Sequence, residues 1–229
     1  MQPHAPQIAR QALALAAPRE QSVLASLRSL VPQRRLSPCE SLRIAELQAN
    51  RLLQHFQIET PAVPEEIVSA LPRIRVVRER CLPVSGSAHW NGRHWIITVS
   101  ADEHPFRQRF SLMHEFKHVL DHTTRHFLYQ DTPYRTASEQ AERVADAFAA
   151  FALMPKRVVK RLWFQRHQNI EQLATLLQVS PQALRYRLDQ LGLTERPPRC
   201  SRPAASVPAH PAFHRATPTR SLMTTEGRQ

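Results

Sequence analysis

Cysteine is scarce in this chain: the 229 residues contain only Cys39, Cys81 and Cys200, far apart and without a CxxC pair. This excludes a disulfide framework and favours a reducing compartment. No apolar run approaches the roughly 18 residues that a membrane-spanning helix needs. The apolar patch near the N-terminus is too short and too broken for a signal peptide, so we expect a cytoplasmic protein.

Aromatic residues make up only 7% of the chain, while 42% is hydrophobic, which predicts a mainly aliphatic core. Acidic residues are also few, and the formal net charge is +12. A basic surface attracts nucleic acid or an acidic protein partner. Much of the excess lies towards the ends of the chain, where charge costs little, so the charge alone is weak support for DNA binding.

Composition and periodicity divide the chain into four regions. We expect residues 1–36 to be a loosely ordered extension with a short helix near 8–17, and residues 37–155 to be the main domain. The sequence pattern of residues 156–193 predicts a helical, helix-turn-helix-like subdomain. Residues 194–229 are rich in proline and arginine without apolar periodicity, which predicts disorder.

The main domain is expected to be α+β and mainly helical. Ser37 and Glu40 form a capping-box signal before a long amphipathic helix, with Pro38 at its first position. Three short strands follow between 74 and 99, with a turn at Asn91-Gly92, and predict a small antiparallel sheet. A helix beginning near Pro105 and an alanine-rich helix over 138–155 complete the domain.

The helix after Pro105 carries the sequence HEFKH, with His114 and His118 four residues apart. At 3.6 residues per turn both imidazoles point the same way, as a Zn²⁺ ion requires of two nitrogen ligands. Glu115 lies about 100° around the helix from His114, where it can sit beside the metal without binding it. It could there take a proton from a metal-activated water.

A third ligand must come from another element, and the alanine-rich helix offers Glu142 with Asp146 one turn later. Glutamate as ligand and aspartate as acceptor for a liganding histidine is the gluzincin arrangement. Glu139 is the alternative ligand. His122 continues the stripe of His114 and His118 but lies about 12 Å along the axis, so we expect it to support rather than bind the metal.

The chain resembles the ImmA/IrrE family of zinc metallopeptidases over about residues 37–193. The segments LPVSGSAHW, RQRFSLMHEFKHVLDH and AERVADAFAAFALMP carry the resemblance. It implies a zincin-like core in which His114, His118 and Glu142 bind zinc and Glu115 activates water. It also implies that the protein cleaves a helix-turn-helix repressor or antitoxin, often encoded next to it, and so switches on stress-response or mobile-element genes.

Two positions depart from the family pattern. Lys117 stands where many relatives have glycine; it could point into the cleft, but we expect its long stem to reach solvent. Val144 stands where many relatives have glutamate, so a shift of one register would change the third ligand. The strand around SGSAHW is expected to hold substrate by strand addition. Four residues are candidates for stabilising the oxyanion: Tyr129, Tyr134, His122 and His126.

Two other functions remain open. The segment from Asn169 to Leu193 has a helix-turn-helix pattern, with Arg185, Tyr186 and Arg187 expected on the exposed side of its second helix, where they could contact DNA or a protein. A DNA-binding transcriptional regulator with a vestigial zinc site is therefore the main alternative. A purely structural zinc protein is the other, although Glu115 beside the metal has no structural purpose.

Overall fold

The computed structural model describes residues 21–165 and 168–193. The helix expected near 8–17 and the tail after 193 lie outside these residues. Helix α1 (Gln21–Arg28) buries Val23 and Leu27 in the core. The Arg28 guanidinium donates to the carbonyls of Val119 and Leu120 at 2.8 and 3.1 Å. The expectation of a loosely ordered segment is therefore wrong for residues 21–36.

Helix α2 (Pro38–His55) begins as predicted: Ser37 and Glu40 form a reciprocal capping box, with proline at the first position. The Glu40 carboxylate also accepts from Arg34 at 2.6 Å. Hydrogen bonds from Arg34 and then Ser37 lower the pKa of Glu40 to about 2. The short helix α3 (Glu66–Ser69) follows and leads into the sheet.

The three predicted strands are present, but the sheet is mixed rather than antiparallel. Its order is β1 (Ile74–Glu79), β3 (Trp95–Ser100), β2 (Gly86–Trp90). Strands β2 and β3 pair antiparallel across the Asn91–His94 loop, whereas β1 runs parallel to β3. Residues 80–85 connect the two outer strands β1 and β2, and β3 pairs between them. Strand β2 is thereby left as an edge strand.

Helix α4 (Pro105–Asp121) packs against β2 and β3 on one side and against α6 (Ala137–Leu153) on the other. The short α5 (Arg125–Leu128) lies between them in sequence. Because α4 is covered on several sides, Met113, Phe116, Val119 and Leu120 are all fully buried. This central position agrees with the broad apolar surface that the sequence predicts for α4.

The C-terminal helices are α7 (Lys156–Phe164), α8 (Ile170–Leu177) and α9 (Pro181–Gln190). Asn169 and Ser180 cap α8 and α9 as predicted. These helices belong to the same compact unit as the domain before them, so no separate unit begins at residue 156. Within the described residues, no helix has the length and apolar character needed to cross a membrane. The α+β, mainly helical fold class is confirmed.

Candidate metal centre and cleft

Helix α4 places His114 and His118 side by side because they lie one turn apart on its least buried face. Their side chains are 17% and 25% exposed, in contrast to the fully buried residues around them. The two Nε2 atoms are 3.0 Å apart. The spacing of the motif thus delivers two convergent nitrogen atoms, as predicted.

Helix α6 brings Glu142 to the same point. Its Oε2 lies 3.1 Å from His114 Nε2, and its Oε1 lies 3.4 Å from His118 Nε2. Ligand atoms of His114, His118 and Glu142 therefore gather at one place, where they could hold a metal ion. Val144 is buried on another side of α6, at 3% exposure, which agrees with the register that selects Glu142.

The spacing of these atoms fits zinc. Two ligands at about 2.0–2.1 Å from a tetrahedral ion lie about 3.3 Å from each other. The two imidazole nitrogens are 3.0 Å apart, and each has one Glu142 oxygen near it, Oε2 at 3.1 Å from His114 and Oε1 at 3.4 Å from His118, which are distances of this size. Two imidazoles and one carboxylate are also the donor set of a catalytic zinc site, which keeps its fourth position open.

Asp146 fixes the orientation of the first histidine. His114 Nδ1–H donates to Asp146 Oδ1 at 2.9 Å, so that in the neutral ring the lone pair is on Nε2, the nitrogen at the cluster. Burial lowers the pKa of His114, but the hydrogen bond and charge of Asp146, with the charges of Glu115 and Glu142, outweigh it and raise the pKa. Burial, and then the charge of His114, lower the pKa of His118.

A cavity of about 480 Å³ opens beside the cluster and is lined by Glu115, His118, Glu142 and strand β2. Burial raises the pKa of Glu115, and the Glu142 charge acts in the same direction against the opposing charge of His114. The carboxylate of Glu115 faces Gly86: a Cβ atom there would lie 3.0 Å from Glu115 Cγ. Glycine at this strand position gives the carboxylate its room.

Glu139, the alternative ligand, is not in the cluster. Its carboxylate closes the capping box of α6 by accepting from the backbone N–H and the hydroxyl of Thr136 at 2.8 and 3.0 Å. His122 lines the cavity and packs edge-on against Trp95, with ring centroids 4.9 Å apart. It is not one of the gathered ligands.

The structure separates the four oxyanion candidates. Tyr134 is 93% exposed, and neither it nor His126 lines the cavity. Tyr129 lines the cavity, but its hydroxyl donates to Asp121. His122 therefore remains, together with Arg125, a cavity-lining residue that the sequence did not indicate.

Lys117 is fully buried, so the expectation that it reaches solvent is wrong. Its ammonium donates to Asp121 Oδ1 at 2.5 Å and to Gln48 Oε1 at 2.8 Å. The second Asp121 oxygen accepts from Tyr129, and Gln48 donates to the carbonyl of Leu27. This polar network joins α1, α2 and α4 to the segment after α5. Asp121 and Tyr129 line the cavity, whereas Lys117 and Gln48 do not.

The three residues expected to contact DNA or protein differ in exposure. Tyr186 is 64% exposed. Arg185 is exposed and pairs with Glu171 at 2.9 Å. Arg187 is only 3% exposed: it donates to the Met154 carbonyl at 3.1 Å and stacks on Phe151, so the expectation that it faces outward is wrong.

An HExxH helix followed by a second helix that supplies Glu-x-x-x-Asp is the arrangement of the gluzincin class of metallopeptidases. Comparison with family models matches residues 72–189 to the IrrE N-terminal-like domain, Peptidase_M78. The chain belongs to this family, as its resemblance predicted.

No curated protein matches the chain. Among solved structures, a Mycobacterium tuberculosis transcriptional regulator superposes with a TM-score of 0.52 at 17% identity. The match covers 77% of this chain and 53% of the regulator, so the chain spans about half the length of that protein. At this identity the similarity shows a shared fold.

Proposed function

We propose that the protein is a zinc-dependent endopeptidase. The observation that carries the proposal is the close approach of His114, His118 and Glu142, with Glu115 beside them at the wall of an open cavity. A structural zinc site is normally closed by four protein ligands, whereas this arrangement has three and a neighbouring carboxylate. Membership of the family supports the same function.

Zinc bound by these three side chains would supply a Lewis acid that polarises the scissile carbonyl and makes water acidic enough to react near neutral pH. Glu115 takes the proton from the attacking water and then delivers it to the leaving nitrogen. Asp146 holds the His114 ring in the tautomer that presents Nε2. His122 and Arg125 line the cavity and are the candidates for stabilising the oxyanion.

Strand β2 provides a means of holding an extended substrate. It is an edge strand, and Gly86, Ser87 and Ala88 line the same cavity as Glu115. A peptide that adds to this edge receives backbone hydrogen bonds and lies alongside the metal ligands. Proline introduced at Ser87 or Ala88 is expected to raise KM, and unchanged proteolysis would contradict this mode of binding.

We further propose, from the resemblance to the family, that the substrate is a helix-turn-helix repressor or antitoxin encoded beside this gene, whose cleavage derepresses stress-response or mobile-element genes. The test is co-expression of the full chain with that neighbouring protein, followed by immunoblotting. We expect a shortened repressor with wild-type protein and intact repressor with Glu115→Gln, whose fold is checked by circular dichroism. Cleavage at the wild-type rate by Glu115→Gln would refute the role of Glu115.

DNA-binding regulation is the alternative function, and a separate measurement tests it. Of the three outward candidates, Arg187 is buried and Arg185 is paired, which leaves Tyr186 as the freely exposed one. A DNA-binding protein would show salt-dependent binding to duplex DNA that weakens in Arg185→Ala. Absence of binding at low salt would exclude this alternative.

A further inference from the structure

A second concavity of about 790 Å³ lies next to the metal centre, and of the residues that line it only Asp146 takes part in the proposed chemistry. We call it the α6 groove. Its walls are helical: α2, the start of α4, α6 from Arg143 to Phe151 with Met154 just after its end, Lys156 at the start of α7, and α9 with the turn before it. Along α6 the lining residues run from Arg143 to Phe151, which is about 12 Å at 1.5 Å per residue.

The groove has an apolar floor. Phe106, Phe110, Ala147 and Phe151 are only partly buried there, and Tyr186 at its margin is 64% exposed. Partly exposed aromatic side chains gathered in one concavity are characteristic of recognition surfaces. No free strand edge lies in these walls, so the groove suits a helix that presents side chains rather than an extended peptide.

The rim of the groove is positively charged. Arg107, Arg143 and Lys156 are exposed on it. Of the two carboxylates in the lining, Asp146 is engaged with His114, and the charge of Glu46 acts on the buried Arg187. Arg107 lies 3.8 Å from Glu103, so Arg143 and Lys156 supply most of the positive charge of the rim. A complementary occupant carries negative charge.

The groove is also continuous with the metal centre through α6. Glu142 lines the catalytic cavity, and Arg143 and Asp146 line the groove, so the two sites meet within one helical turn. A single polypeptide can reach both sites. The chain's own residues 194–229 carry six arginines against two glutamates, the wrong charge for this rim.

We propose that the α6 groove is a docking site for an acidic amphipathic helix of the protein substrate, separate from the cleavage site. This inference deepens the proposed function and rests on it. The groove binds the apolar face of the helix, and its rim cations meet carboxylates on the flanks of that helix. Docking there would hold the substrate while its extended segment enters the cleft beside β2, which raises the effective concentration of the scissile bond.

The probe is a fluorescein-labelled synthetic peptide of about twenty residues, with leucine and phenylalanine at i, i+3, i+4 and i+7 and glutamate elsewhere. Its binding to the full zinc-loaded chain is measured by fluorescence anisotropy. We expect saturable binding that weakens at least about tenfold in Lys156→Glu and in Tyr186→Ala. Arg80→Glu, an exposed charge reversal outside the groove, should leave the affinity unchanged.

Two control peptides separate charge from shape. A peptide of the same composition with its apolar residues scattered around the helix, and one with lysine in place of glutamate, should both bind at least about tenfold more weakly. The proposal would be overturned if all three peptides bound equally well or if the acidic peptide did not bind. It would also be overturned if Arg80→Glu lowered the affinity as much as Lys156→Glu and Tyr186→Ala do. So would tighter binding after deletion of residues 2–20 or 194–229, which would assign the groove to the chain itself.

Other occupants give different results. Concentration-dependent dimerisation in sedimentation that Lys156→Glu abolishes would assign the groove to a second copy. If duplex DNA competes with the peptide, and its binding is also lost in Lys156→Glu and Tyr186→Ala, the groove would be assigned to nucleic acid. Binding is measured without catalysis, so Glu115→Gln should bind the peptide normally. If the peptide binds but the co-expressed repressor is not cleaved, the proposed peptidase activity is refuted. If the repressor is cleaved but the peptide does not bind, only the proposal about the α6 groove is refuted.

Discussion

Replacement of Lys117 by methionine tests the buried hydrogen-bond network of Lys117, Asp121 and Gln48. Lys117 is 0% and Asp121 4% exposed, and their charged atoms are 2.5 Å apart. Methionine keeps the length of the side chain but leaves the Asp121 carboxylate buried without its cation. Removing one partner of such a pair costs about 3–5 kcal/mol, because the remaining charge stays desolvated.

That loss is large against a total stability of about 5–15 kcal/mol. At about 2–4 °C per kcal/mol for a chain of this size, Tm should fall by roughly 6–20 °C. The assay is urea unfolding followed by circular dichroism, performed on metal-free protein in chelator so that zinc binding does not contribute to the difference.

Two further variants serve as controls. Lys156→Met, at an exposed lysine, should change stability by less than about 0.5 kcal/mol. Lys117→Met combined with Asp121→Asn removes both charges and keeps an acceptor for the Tyr129 hydroxyl, so it should recover most of the loss. A cost below about 1 kcal/mol for Lys117→Met, or no recovery in the double variant, would refute the reasoning.

Three other predictions concern the helix cap, the general base and the histidine support. The pKa of Glu40 is depressed from 4.5 to about 2, so the stabilisation that its carboxylate gives is present above about pH 4.5 and is lost as pH falls towards 2. The difference in unfolding free energy between wild type and Glu40→Gln should therefore narrow from pH 6 to pH 3, and a constant difference would contradict this prediction. Gly86→Ala places a Cβ 3.0 Å from Glu115 Cγ and should lower kcat for peptide cleavage by about 10–100-fold, while metal analysis shows unchanged zinc content. An unchanged kcat would show that the Glu115 carboxylate does not need this space. Asp146→Ala should weaken zinc binding by about 10–100-fold in competition with a chromophoric chelator, because His114 loses its acceptor; an unchanged affinity would remove Asp146 from the site.

The convergence of His114 and His118 could be predicted from the sequence because residues four apart on one helix face the same way. The approach of Glu142 is expected from the Glu-x-x-x-Asp pattern and the family resemblance, since periodicity does not tell which helix packs against α4. Gly86 carries a weaker signal, since glycine inside a strand often marks a close approach. Nothing in the sequence indicated that Arg125 would line the cavity.

The remaining features depend on contacts between distant segments. Lys117 is buried because α1 and α2 cover α4, and its acceptor Gln48 is 69 residues away in sequence. Strand β1 pairs parallel with β3 because the chain crosses over before β2, which a turn signal at Asn91-Gly92 cannot reveal. Arg187 turns inward because a backbone carbonyl and Phe151 are available to it in the folded chain.

The central claim is that this helix pair binds zinc and that Glu115 uses it to hydrolyse peptide bonds. The most direct measurement is mass spectrometry of new peptide termini after a proteome-derived peptide library is incubated with zinc-loaded protein. Wild-type protein should generate new termini, and Glu115→Gln, with the same zinc content, should generate none. The same termini with both proteins, or new termini with neither, would contradict the account.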